Sequence, residues 1–261
     1  MSNQDAVHFT ADGPIATITL NRPDQRNTWN PALWTGLLEA LDRLGGEREL
    51  RVGILTGAGT VFSAGADLAD PAVHSTEDIS EYGEGQDNSL YDALQRCIKP
   101  VIAAVNGSAH GAAATLALAC DLRVMADDAF MVWPMARLGM IPANGTLVRM
   151  ARLIGSGHAL DITMTARRIT ADEAYRMGLV NRLAPAAKLL DVARDLASTL
   201  AQNAPLSLRF IKESLYRGLD MGLHDAIHAE RYRQFILYGS DDRKEASKAW
   251  LEDRPPKFTG R

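Results

Sequence analysis

The chain has little of what would tie it to an oxidising compartment, a membrane or a nucleic acid. Its two cysteines, Cys97 and Cys120, cannot staple 261 residues. They form no CxxC pair and no metal-like cluster, so structural thiols in a reducing compartment are expected, with no bound metal. No apolar run approaches the roughly 18 residues needed to cross a bilayer. The opening Met1-Ser2-Asn3-Gln4-Asp5 has neither the basic nor the apolar stretch of a signal peptide. A soluble, cytoplasmic protein without a membrane partner is the expectation. There is no basic excess either: 28 Lys and Arg stand against 32 Asp and Glu, a net charge of -4. That argues against a broadly basic nucleic-acid surface, although local arginines can still meet phosphates.

Several catalytic signatures are also missing. No Gly-x-Ser-x-Gly elbow presents a serine nucleophile. Gly57-Ala58-Gly59 follows a strand-like segment, but a dinucleotide fingerprint needs a third glycine where the chain has Phe62. His224 and His228 have the spacing of a zinc pair, yet Asp225-Ala226-Ile227 between them supplies no HExxH glutamate. A solvated helix face is expected there.

What is present is an ordinary globular balance, 46% apolar and 23% charged, enough for one substantial core or a core with an appendage. Ile15-Ala16-Thr17-Ile18-Thr19-Leu20 reads as a strand ending in the Asn21-Arg22-Pro23 turn. Asn30-Pro31 caps and opens a helix that Gly45-Gly46 stops. Short buried strands are predicted at 52–56, 101–105 and 122–126, and helices at 90–98 and 111–119. From about residue 145 the periodicity is helical, clearest over 206–217, 223–238 and 243–252. The fold class is therefore α/β, with a core over 1–200 and a helical region over 201–261. The acidic, polar stretch 70–89 reads as a surface segment, a candidate lid.

Two stretches carry the chemistry. Phe62-Ser63-Ala64-Gly65-Ala66-Asp67-Leu68 and Val105-Asn106-Gly107-Ser108-Ala109-His110-Gly111-Ala112 each follow a strand and are dense in small residues. The second enters a helix whose first turn has unpaired N–H groups and the positive end of the dipole. Small side chains would leave those N–H groups open to an external oxygen, although tight packing of a helix on a sheet would call for the same residues.

Taken together, Gly57-x-Gly59-x-x-Phe62-Ser63-Ala64-Gly65-Ala66-Asp67-Leu68 and Lys99-Pro100-Val101-Ile102-Ala103-Ala104-Val105-Asn106-Gly107 resemble the crotonase (enoyl-CoA hydratase/isomerase) superfamily. The likeness covers most of the chain. It starts at Asn21-Arg22-Pro23 with Asn27, and passes through Cys120-Asp121-Leu122-Arg123, Leu138-Gly139-Met140-Ile141-Pro142 and Ala171-Asp172-Glu173-Ala174. It ends at Phe258-Thr259-Gly260-Arg261. The resemblance implies a crotonase-like superhelix of ββα units, C-terminal helices used in trimerisation, and a homotrimer or hexamer. It implies an acyl-CoA substrate, with coenzyme A as part of that substrate and no separate cofactor. By position, the N–H groups of Ala66 and Ala112 would hold the thioester oxygen. Ala64, Ala66, Asp67 and Leu68 would line the coenzyme A path, and Arg26 would meet a phosphate or the adenine.

The chain departs from the family where hydratases place two glutamates that hold water. Those positions carry Thr115 and Met135. A threonine hydroxyl is too weak an acid and base, and a thioether has no proton to exchange. His110 and Asn144 are the remaining candidates to handle a proton or the acyl group, each with a plain alternative as a packing or turn residue. Asp67, and Asp70, His74, Glu77, Asp78 and Glu81 on the candidate lid, are further titratable groups. The expected function is enolate chemistry other than two-glutamate hydration, with lyase (decarboxylase) or hydrolase action ahead of isomerisation. Gly107-Ser108-Ala109-His110-Gly111-Ala112-Ala113 bears a loose likeness to methylmalonyl-CoA decarboxylase-like members. A specialised hydratase/isomerase and a non-catalytic acyl-CoA-binding homologue are the alternatives.

Overall fold

The computed structural model describes residues 6–67 and 90–261. Leu68 and the candidate lid at 70–89 lie outside the described residues.

The N-terminus forms a hairpin, β1 (Val7–Asp12) with β2 (Ile15–Leu20), turning at Gly13-Pro14. Ala16, Ile18 and Leu20 are buried on one face of β2, the period-two pattern of a half-covered strand. β3 (Val52–Gly57) and β5 (Val101–Val105) are buried at every residue, as interior parallel strands are. With β7 (Leu122–Ala126) and β10 (Arg182–Ala184) they make a six-stranded sheet in the order β1-β2-β3-β5-β7-β10, antiparallel only at β1/β2.

A second, four-stranded sheet has the order β4-β6-β8-β9, from β4 (Val61–Ser63), β6 (Ser108–His110), β8 (Phe130–Val132) and β9 (Arg168–Thr170). The chain repeats one move: β3 in the large sheet leads to β4 in the small one, β5 to β6, and β7 to β8. This is the expected crotonase-like stacking of strand pairs. The corners are tight. A Cβ on Gly107 would lie 2.0 Å from the Thr60 carbonyl oxygen, so only glycine fits where β5 turns into β6. The sequence reading passed straight from 101–105 to a helix. Three-residue strands such as β4, β6 and β8 are too short to show an alternation.

The helices are α1 (Pro31–Gly46), α2 (Leu90–Arg96), α3 (Ala112–Ala119), α4 (Thr146–Thr165), α5 (Ala171–Arg176), α6 (Leu189–Ala201), α7 (Pro205–Gly218), α8 (Leu223–Tyr238) and α9 (Asp241–Leu251). The Asn30 side chain caps α1 by accepting from the Leu33 N–H at 2.9 Å, and Pro31 fills its first position. α3 is buried along its whole length beyond Ala112, and its alanines allow it to sit between layers. The C-terminal helical region is docked by Lys212 of α7. Its ammonium pairs with Asp121 at 2.8 Å and donates to the carbonyls of Leu94 and Lys99.

Both cysteines are buried free thiols, and burial pushes Cys120 up to about 12. His224 and His228 are exposed, with ring centroids 4.4 Å apart. Among the described residues no group of three or more His, Cys, Asp or Glu is arranged to hold a metal ion. No described helix is long and apolar enough to cross a membrane.

Candidate active site

The loop after β4 and the start of α3 are brought together by a set of short-range constraints. The loop between β2 and α1 is folded on itself through Arg26 and Asn27, both with φ near 53°. Buried Asn27 accepts from the Arg22 N–H and donates to the carbonyls of Ala58 and Val61. The 63–66 segment is then laced to that loop. The Ala64 N–H donates to the Arg26 carbonyl at 2.9 Å and the Trp29 N–H to the Gly65 carbonyl at 2.9 Å. The Ser63 hydroxyl donates to the Asn27 carbonyl and accepts from the Trp29 indole N–H and the Gly65 N–H. Trp29 and Ala66 form an isolated parallel bridge.

Gly65 joins this platform to the helix. Its φ is 81°, and a Cβ there would lie 2.4 Å from the His110 carbonyl oxygen and 3.5 Å from the Ala112 nitrogen. The two segments singled out in the sequence are therefore in direct contact. Ala66 and Ala112 are both half-buried. Ala112 is the first residue of α3, so its N–H has no intrahelical partner and lies at the positive end of the dipole.

Thr115, one turn along α3, is closed off. The Trp133 indole N–H donates to its hydroxyl at 3.2 Å. That hydroxyl lies 2.9 Å from the hydroxyl of Thr146, which donates to the Ala143 carbonyl at 2.6 Å. Since Thr146 gives its proton to Ala143, Thr115 must be the donor between the two threonines. The chain runs one way, from Trp133 through Thr115 and Thr146 to Ala143, and all three side chains are buried. Met135 closes over the helix start, its methyl 3.6 Å from where a Cβ on Gly111 would stand.

Asn144 sits on the exposed turn before α4 with φ 58°. Its side chain lies near the hydroxyl of Tyr91, a buried residue of α2. The Tyr91 hydroxyl donates to the Ala112 carbonyl at 3.3 Å, and its ring lies 6.3 Å from that of Trp29. Burial pushes the pKa of the Tyr91 phenol above its ordinary value, and the nearby Asn144 side chain partly opposes this, so the phenol stays protonated. Sequence reasoning passed over Tyr91, Trp29, Trp133 and Thr146. Each acts through a partner distant in the chain, which no local spacing reveals.

His110 is the last residue of β6. Its ring packs edge-on to Phe130 at 5.3 Å, and the Arg168 guanidinium covers Phe130 at 4.4 Å. Its Nε2 is buried without a hydrogen-bond partner among the described residues. Burial first, then the charges of Arg26 and Arg168, hold its imidazole below the ordinary 6.5. Arg26 is exposed, and Ala64 and Asp67 are half-buried beside Ala66. A cavity of about 670 Å³ lined by Thr56, Gly57, Asn106, Ser108 and Phe130 lies at the opening ends of β4 and β6, opposite the ends that lead to Ala66 and Ala112.

Nested large and small sheets, with glycine-packed loops meeting at a helix start, define an acyl-CoA enzyme of the crotonase type once comparisons with known proteins are added. The model of the enoyl-CoA hydratase/isomerase family matches residues 10–261, and the chain belongs to that family, the crotonase superfamily. It is 33% identical to a short-chain-enoyl-CoA hydratase of Clostridium acetobutylicum, over 95% of each chain. It is 37% identical to a carnitinyl-CoA dehydratase of Salmonella arizonae, over 98% of this chain and 99% of that one. Among solved structures, the enoyl-CoA hydratase of Bacillus anthracis superposes with a TM-score of 0.92 at 34% identity, covering 98% of this chain and 100% of that one.

Proposed function

We infer that the chain acts on an acyl-CoA thioester whose oxygen is held by the N–H groups of Ala66 and Ala112 while an enolate forms. The contact of Gly65 with the His110 carbonyl and the Ala112 nitrogen supports this reading, because it brings the two donor segments to one place. Each preorganised donor stabilises developing oxyanion charge by a few kcal/mol. Arg26, Ala64 and Asp67 flank that place and are assigned to the coenzyme A moiety.

Thr115 supports a reaction that needs no carboxylate base at its position. Its single proton is committed to Thr146 and its oxygen to Trp133, so a hydroxyl that is already a poor base has no means to activate water. Met135 contributes a methyl group. An enolate must then arise without a carboxylate base at these two positions. Loss of carbon dioxide from an α-carboxylated thioester does this, and we place such lyase chemistry, with thioester hydrolysis beside it, ahead of isomerisation. The names of the Clostridium and Salmonella relatives favour a second reading, a specialised hydratase or dehydratase.

Incubation with enoyl-, malonyl-, β-keto- and aryl-CoA thioesters, read by mass spectrometry, separates these. Conversion of malonyl-type or β-keto thioesters with enoyl-CoA untouched is the expected result. Fast hydration of enoyl-CoA would establish the second reading instead, and binding of all with turnover of none would mark a non-catalytic acyl-CoA-binding homologue.

A further inference from the structure

We propose that Tyr91 is the acid that returns a proton to the α-carbon of the enolate, and that Asn144 holds the phenolate oxygen as it does so. This rests on the enolate reading above and adds the proton donor that reading lacks.

One side chain touches both halves of the site. The Tyr91 ring lies 6.3 Å from the ring of Trp29, the residue bridged to Ala66. The Tyr91 hydroxyl donates to the carbonyl of Ala112, whose N–H is the other assigned donor. At 3.3 Å this hydrogen bond is long for an O–H donor, whose usual distance is about 2.7–2.8 Å. Its loss costs little when the hydroxyl turns to a substrate atom. The Asn144 side chain lies near that hydroxyl, so its amide N–H is placed to turn to the oxygen once the proton has left. The left-handed backbone of Asn144, φ 58°, is one that asparagine tolerates. The groups at the usual glutamate positions offer no competing proton, since Thr115 is committed to Thr146 and Met135 has none.

The substrate class is a thioester bearing a carboxylate on its α-carbon. Cleavage of the bond to that carboxylate releases carbon dioxide and leaves its electron pair in the enolate, held by the two N–H groups. A bond then forms between the α-carbon and the Tyr91 proton as the O–H bond breaks. The thioester carbonyl reforms, and the phenolate takes a proton from water, whose hydroxide combines with carbon dioxide as bicarbonate.

The test is turnover of a 2-methylmalonyl-CoA probe in D2O, with the configuration of the α-deuterated product determined. The parent should give one configuration. Tyr91→Phe, shown folded by circular dichroism, should lose about 10²–10⁴-fold in kcat, the usual contribution of a positioned acid. Its residual product should be labelled on both faces, with KM little changed. Asn144→Ala, on an exposed turn, should lower kcat by about tenfold or more, the worth of a hydrogen bond to a charged oxygen. That variant tests the pair even if Tyr91→Phe does not fold, and an Asn144→Ala enzyme at the parent kcat would overturn the proposal. So would a folded Tyr91→Phe enzyme with the parent rate and configuration, leaving the enolate reading intact. A parent that does not decarboxylate the probe would overturn both.

Discussion

The Thr115 hydroxyl lies 2.9 Å from that of Thr146, and the direction of the hydrogen bond between them is fixed by their other partners. A position that carries a water-activating carboxylate in two-glutamate hydratases is here part of a closed chain ending at the Ala143 carbonyl.

Thr115→Val removes the acceptor of the buried Trp133 N–H. Stranding such a donor costs about 1–3 kcal/mol, so the melting temperature should fall while turnover of a decarboxylating substrate changes little. Thr115→Ser should restore most of the stability. Calorimetry with steady-state kinetics decides it, and a large loss of kcat in a stable Thr115→Val protein would place the hydroxyl in the chemistry.

Crotonyl-CoA should be hydrated far more slowly than the ~10 s⁻¹ of an ordinary enzyme. Spectrophotometric loss of the enoyl thioester measures this directly. Thr115→Glu with Met135→Glu should add some hydration. The gain will be small, because Thr115 is 3% exposed and a carboxylate there must be desolvated.

His110 has a titration consequence of definite sign. Its folded value is held below 6.5, chiefly by burial. As pH drops below 6.5 the unfolded chain binds a proton that the folded ring resists, so stability falls with pH in that window. His110→Leu should flatten the acid limb of the stability profile and leave the profile above 6.5 unchanged. Denaturant melts across that range are the check, and an unaltered acid limb would show that the ring protonates equally well in both states.

The C-terminal helices leave large apolar side chains in the open, among them Leu223 at 77%, Phe235 at 75% and Trp250 at 86% exposure. Exposed apolar side chains of this size are what a subunit interface would cover. Sedimentation should give a homotrimer or hexamer at micromolar concentration, and a stable monomer would contradict this.

Four strands of the large sheet were legible in the sequence, β2, β3 and β5 as short runs rich in β-branched residues and β7 as a short apolar run, whereas β1 was not. Also legible were α1, through Asn30 and Pro31, and the late helices, through their periodicity. The three-residue strands were not, since their pairing is set by tertiary contact. At the site, the small residues marked two segments that the fold brings into contact at Gly65 and His110. Tyr91 gave no signal, as its proposed role depends on Ala112 and Asn144 meeting it across the fold. His110 stood out beside the helix start, but its ring packs on Phe130, a contact fixed by the small sheet.

The central claim is that backbone N–H groups hold the thioester oxygen, and Ala112→Pro tests it most directly. Proline at the first position of a helix deletes a donor that has no intrahelical partner and is tolerated by the helix. Ala112→Gly keeps the N–H and serves as the control. With folding confirmed by circular dichroism, single-turnover kinetics on an accepted thioester should show a loss of about 10²–10³-fold for Ala112→Pro. The control should be near the parent rate, with coenzyme A affinity largely retained in both. A folded Ala112→Pro enzyme turning over at the parent rate would contradict the account, because the thioester oxygen would then be held elsewhere.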